Sequence, residues 1–422
     1  MSDSTPKLGF QATWSMAVGG MIGGGIFSTL GVVIEVAGPR AWLSFLVAGV
    51  ISLAAGYSYA SLARHYHEGG GAFTYLRKVD RDGFAASLAW ILIVGYVLTN
   101  AVYAFTFGQY ISYVLDLGPL FARFFAILII SVFIALNLKG VAEAGWVETF
   151  LVWFKLVVLL GLACWGLAGW QPDMLSQGIN DNGVGAAIFG AAAIFMAYEG
   201  FQLLSYDYDD IKDPAKTMPR AMLSAIAVVI VVYILVAIGT AMLIGADQVV
   251  KHKEVALAIA GREALGTAGL IIVTIAAAFS TGSAINSTLF ATARLSRTVA
   301  DAGELPRVFS HQDEQGIPDR AVLSLGVGAA LLASIGSLEL LVEAASLAFL
   351  LTFSVVCALA FQKRAGLRFI TGFGALAAAA AFVALVVRLA ETSPIALAAL
   401  GILLGFAAFG RPYIMKLVRR RH

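Results

Sequence analysis

Two ionisable side chains stand in stretches that are otherwise apolar: Lys155 in VETFLVWFKLVVLL, residues 147–160, and Glu199 in IFMAYEGFQ, residues 194–202. Neither has the company that covalent or metal chemistry needs. His65, His67, His252, His311 and His422 all fall in polar connectors or at the chain end, and no HExxH, GxSxG or phosphate-loop GxxxxGKS or GxxxxGKT pattern occurs, so an enzyme is not expected. What remains is the gain and loss of a proton and the attraction of a charged solute. A third feature concerns backbone. Between Ser15 and Phe27 the chain reads SMAVGGMIGGGIF, and each glycine lowers helix propensity by roughly 1 kcal/mol relative to alanine. Gly23, Gly24 and Gly25 leave three successive residues without side-chain cover. Unwound backbone at membrane depth survives only beside protein or a polar cavity, so a ligand is expected there, with a second interruption near Gly200. The alternative is that the glycines let helices pack closely, although three in a row exceed what packing needs.

These residues must be positioned by membrane helices. Hydrophobic residues make up 60% of the 422 and charged residues 13%, against about 25% charged in a soluble domain. Apolar stretches long enough to cross a bilayer number twelve, near 10–36, 41–63, 84–114, 120–138, 146–169, 185–207, 220–244, 267–295, 320–337, 340–361, 368–389 and 395–415. The segments between them, the longest at 67–83, 246–264 and 301–320, read as connectors. No short apolar core with a small-residue cleavage site opens the chain, so the first span is not a signal peptide. Cys164 and Cys357 lie in separate spans and suggest neither a disulfide nor a metal site. With the N-terminus inside, most of the 28 lysines and arginines fall on the cytoplasmic side; Arg40, Arg123, Lys251, Lys253, Arg262 and Arg388 fall outside. The positive-inside rule then places both termini in the cytoplasm, with the basic tail LVRRRH at the inner leaflet rather than on a nucleic acid. Spans 1–5 and 6–10 form two groups of five, an odd number, so the second group runs inverted relative to the first.

Several of these strings carry a family resemblance. SMAVGGMIGGGIF, HEGGGAFTYLRK, FMAYEGF with DDIKDPAKTMPRA, VETFLVWFKLVVLL, and AAAFSTGSAINSTLFATARLSRTVADAGELP at 276–306 resemble the amino acid, polyamine and organocation (APC) transporters, and within them the ApcT-type proton-coupled amino acid transporters. The resemblance covers roughly residues 9–365. It implies an all-α polytopic membrane protein with a LeuT-like 5+5 inverted repeat, twelve transmembrane helices and discontinuous helices 1 and 6. The transport core would be 1–365, and helices 11–12 with the basic tail would occupy 366–422. Substrate would lie between the two broken helices. It also places Lys155 where ApcT-like proteins carry a lysine whose ammonium replaces the sodium of sodium-coupled relatives, with Gly19 and Ser280 or Ser283 as neighbours.

The residues read on their own agree with this. Amides freed at Met21, Ile22, Gly23, Gly24 and Gly25 point from the positive end of a half-helix and suit a carboxylate. Carbonyls freed near Met196 and Ala197 suit an ammonium. Ten residues of helix beyond Gly145 put Lys155 about 15 Å deep, near the middle of a ~30 Å core. A charge there costs roughly 2.5–3.5 kcal/mol on insertion scales, and burial lowers a lysine pKa from about 10.4, so Lys155 is either a titrating group or a permanently held structural one. Glu199 departs from the family pattern, which is apolar at that position. Three roles fit it: attraction of a cationic side chain or second amine, a second proton site, or packing against a polar neighbour. Glu343 reads as an external-gate residue or a structural pair. Asp207, Asp209 and Asp210 are expected to form an inner charge network with Lys212, Lys216 and Arg220, joined by Arg64, Arg77 and Arg297. Tyr96, Asn100 and Tyr103 share one stripe of span 3. The expected activity is therefore proton-coupled amino acid symport across the inner, plasma membrane, the runner-up a cationic amino acid or polyamine exchanger. The partners are a small amino acid or amine, protons and the lipid bilayer, with no cofactor, metal or nucleic acid.

Overall fold

The computed structural model describes residues 7–79, 83–140 and 145–406. Its apolar stretches are helical, as lipid demands when each backbone N–H and C=O must find a partner within its own segment. In order the helices are α1 (Phe10–Ile22), α2 (Gly25–Ala37), α3 (Ala41–Tyr66), α4 (Gly71–Arg77), α5 (Phe84–Val114), α6 (Pro119–Leu138), α7 (Gly145–Ala168), α8 (Gly185–Ala193), α9 (Pro214–Ile244), α10 (Ala246–Lys251), α11 (Ala256–Asp301), α12 (Asp319–Ile335), α13 (Leu338–Gln362), α14 (Arg368–Thr392) and α15 (Pro394–Gly405). Prolines open α6, α9 and α15, where the missing N–H would have no intrahelical partner anyway.

Among the described residues eight runs are long and apolar enough to cross a membrane; the first, Phe10–Tyr66, takes in α1, α2 and α3. Their outward faces are apolar. On α7, Phe150, Trp153 and Val157 are exposed while Lys155 is only 1% exposed, the reverse of a soluble amphipathic helix. This is a multi-pass membrane protein. Expected span 6 is split into α8 and two 3₁₀ turns, Phe195–Tyr198 and Phe201–Ser205. Expected span 9 is the 17-residue α12. The basic tail and the end of span 12 lie outside the described residues.

The segment near 246–264 differs from the expected connector. It contains α10 and the first turns of α11, which is non-helical only at Leu265 and Gly266. The reason is burial: Leu257, Ala258 and Ala260 are enclosed, and the turn at Lys253 packs directly on Gly31 of α2.

Candidate functional site

The two expected interruptions are present and touch. Helix α1 ends at Ile22 and α2 begins at Gly25. Between them, a Cβ on Gly24 would overlap the Tyr103 ring, so only glycine lets α5 approach this closely. Glu199 and Gly200 separate the two 3₁₀ turns of the other break, and Gly200 sits at φ +128°, a conformation that favours glycine. A Cβ on Gly200 would stand 2.5 Å from the carbonyl carbon of Gly20. The breaks thus meet backbone to backbone.

Side chains from three other helices pin them. The Tyr233 hydroxyl of α9 lies 2.7 Å from the carbonyl of Met21 and 3.0 Å from that of Ala197, one beside each break, so its one proton is shared between them. Ser346 of α13 donates to Ala193 O at 2.8 Å and accepts from the Met196 amide at 3.0 Å. Ser280 of α11 donates to Ile22 O at 2.5 Å, while Ser283 is buried one turn further on. Met196 O accepts from the Glu199 amide at 2.9 Å. Each carbonyl so engaged keeps a second lone pair for a ligand. Met21, Ile22, Gly23, Gly24 and Gly25 are all enclosed, as are Met196 and Ala197.

Lys155 donates from Nζ to Gly19 O at 3.1 Å, joining α7 to the last turn before the first break. Glu199 Oε2 accepts from the Tyr103 hydroxyl at 3.1 Å and its Oε1 from Gln202 Nε2 at 3.0 Å. Gln202 Nε2 also reaches Tyr96 Oη at 3.2 Å, and its Oε1 takes the Gly200 amide at 3.0 Å. No described lysine or arginine comes within ion-pair distance of Glu199. Asn100, on the same stripe, bonds back to Tyr96 O of its own helix.

A cavity of about 480 Å³ leads from the face carrying Leu8, Asp207, Asp210 and Arg294 to Gly200, with Met16 and Glu148 on its wall. A chain of charges links α2, α13 and α14 at their other ends. Lys253 contacts Glu35 of α2 at 2.8 Å and Glu339 of α13 at 3.4 Å. Arg388 of α14 contacts Glu339 at 3.2 Å and Glu343 at 3.0 Å.

Two expectations about charge need correcting. Asp207 pairs with Arg294 of α11, not with the basic residues that follow it in sequence, because the unwound segment carries it across to α11. Arg297 pairs with Asp301 of its own helix, at 3.4 Å. Sequence reasoning passed over Tyr233, Ser346 and Glu148. The only signal for Tyr233 is one hydroxyl in the aliphatic run VVIVVYILVAI.

Comparison with known proteins agrees with this architecture. A family model described as amino acid permease matches residues 8–409. The chain is similar to the uncharacterized protein MJ0609 of Methanocaldococcus jannaschii, at 32% identity over 72% of this chain and 71% of that one. It is similar to the inner membrane transport protein YbaT of Escherichia coli, at 31% identity over 86% and 85%. A third relative is the serine/threonine exchanger SteT of Bacillus subtilis, at 26% identity over 71% and 69%. The chain belongs to the amino acid permease family of the APC superfamily.

Proposed function

We propose that this protein is a secondary transporter that carries an amino acid together with a proton across the inner, plasma membrane, with both termini in the cytoplasm. In this reading residues 1–365 are a LeuT-like core of inverted repeats, and α14, α15 and the tail, 366–422, lie outside it. The cavity face is cytoplasmic, and the conformation is open inward and latched outward. Substrate carboxylate is received at the start of α2 and its ammonium at the carbonyls of the second break.

The observation that carries the reading is the enclosed Lys155 ammonium on Gly19 O. A cation bonded to the last turn before the break holds α7 and α1 together, and its loss on deprotonation frees them. Binding and closure are then linked to one proton, as population-shift coupling requires. Reconstituted protein is expected to accumulate amino acid when the outside is acid and to ignore sodium. Lys155→Ala is expected to bind substrate yet fail to concentrate it. Concentrative, pH-driven uptake by Lys155→Ala would overturn the assignment.

A second reading has its own observation. Glu199 is an enclosed carboxylate held by two neutral donors, with no described cation beside it, next to the Tyr103 ring that covers Gly24. That geometry favours a substrate bringing its own positive charge, and hence a cationic amino acid or polyamine exchanger.

A further inference from the structure

Lys155 is enclosed, and it is not part of the wall of the cavity that reaches the site. A proton it carries in must still leave. Glu148, in the first turn of α7, is part of that wall. Lys155 follows Glu148 by seven positions, close to two turns at 3.6 residues each, so both lie on one stripe of the helix. Helical side chains lean toward their own N-terminus, which tips the lysine back toward the glutamate.

They converge on the same residue. Lys155 Nζ bonds the Gly19 carbonyl, and Glu148 Oε1 lies 3.0 Å from where a Gly19 Cβ would stand, with Val152 Cγ2 at 3.2 Å. The missing side chain of Gly19 is what lets the carboxylate approach. Among the described residues, three other charged groups line the cavity. Helix α1 contributes none. The unwound segment after α8 offers Asp207 and Asp210, and α11 offers Arg294, which is engaged by Asp207. Lys216 and Arg220 of α9 are exposed.

The geometry points to Glu148 as the relay that takes the proton from Lys155 and hands it to cavity water. This inference rests on the symport reading. The N–H bond at Nζ breaks with its electron pair kept by nitrogen, and an intervening water passes the proton to a Glu148 oxygen. The carboxyl then releases it to the cavity, leaving a neutral lysine and a restored carboxylate. Glu148 is thereby a proton-transfer residue on the cavity wall.

The test compares two transport modes in proteoliposomes, using radiolabelled alanine, serine and lysine as probes. Net proton-driven uptake needs Lys155 to discharge in every cycle; exchange of one substrate molecule for another does not. Glu148→Gln is expected to slow net uptake at least tenfold and to steepen its dependence on cavity-side pH, while exchange stays within twofold of wild type. Glu148→Asp is expected to recover part of the loss. Net uptake by Glu148→Gln at the wild-type rate overturns the relay, and so does an equal slowing of both modes, which marks a structural role. The symport reading fails separately, when Lys155→Ala still concentrates substrate.

Discussion

Glu199→Gln separates charge from shape at the candidate site. The wild-type carboxylate accepts two hydrogen bonds, from Tyr103 at 3.1 Å and from Gln202 at 3.0 Å. A glutamine in the same place keeps both, since its amide oxygen accepts from Gln202 Nε2 and its amino group donates to the Tyr103 oxygen. The Tyr103 oxygen stays paired while its proton must turn to another acceptor, so the change removes the charge at the cost of at most one hydrogen bond. A hydrogen bond to a charged partner is worth about 1.5–3 kcal/mol, so if the substrate side chain is cationic, its affinity falls by roughly 10- to 150-fold at 1.4 kcal/mol per decade. Alanine affinity moves by less than threefold. The assay is equilibrium binding of lysine and alanine to detergent-purified protein, wild type and variant side by side. Thermal stability serves as the control and is expected to hold or rise, because a buried charge with no described counter-cation is removed. Parallel shifts for lysine and alanine, or binding of neutral substrates alone with no change in the variant, refute the cationic assignment.

Two further outcomes follow from the contacts around the breaks. Gly200→Ala puts a Cβ 2.5 Å from backbone carbon of Gly20 at φ +128°, a conformation costing about 1–3 kcal/mol on its own; a lowered unfolding temperature and loss of transport are expected. Glu343→Ala leaves Arg388 with Glu339 alone, and loss of that buried contact is worth about 1–3 kcal/mol. A thiol-reactive probe added from the Glu35 face is expected to label a cysteine at Ile34 faster in that variant, and unchanged labelling would remove the charge chain from any role in closure.

Much of the architecture was legible in the sequence because lipid leaves the backbone so few choices. Apolar runs had to be helices, and three consecutive glycines with Gly200 marked where helices stop. Lys155 and Glu199 stood out as charges in apolar strings. The partners of those charges were less visible. The Lys155 contact with Gly19 spans 136 positions, and it entered through a resemblance rather than a pattern. Tyr233 was hidden because a hydroxyl in an aliphatic helix is ordinary until two unwound carbonyls are placed beside it. The closing charges Glu35, Lys253, Glu339 and Arg388 come from four separate elements, and only folding assembles them. The segment at 246–264 misled because its charged residues, among them Asp247, Lys251, Lys253 and Glu254, resemble a loop, while its burial against α2 is a tertiary property.

Arg388 sits on α14, a helix outside the proposed core of inverted repeats. On the flank of α14 turned away from the protein, Phe369, Leu376 and Val383 recur every seven residues and are 85%, 75% and 58% exposed. One helix thus holds the closing charge chain with one side and the acyl chains of the bilayer with the other. A hydrophobic segment answers a change in bilayer thickness by tilting, and a tilt of α14 carries Arg388 toward or away from Glu339 and Glu343. Under the proposed mechanism, vesicles of short-chain and long-chain phospholipid are expected to give this transporter different speeds for the same substrate and the same gradient, and equal speeds would separate α14 from closure.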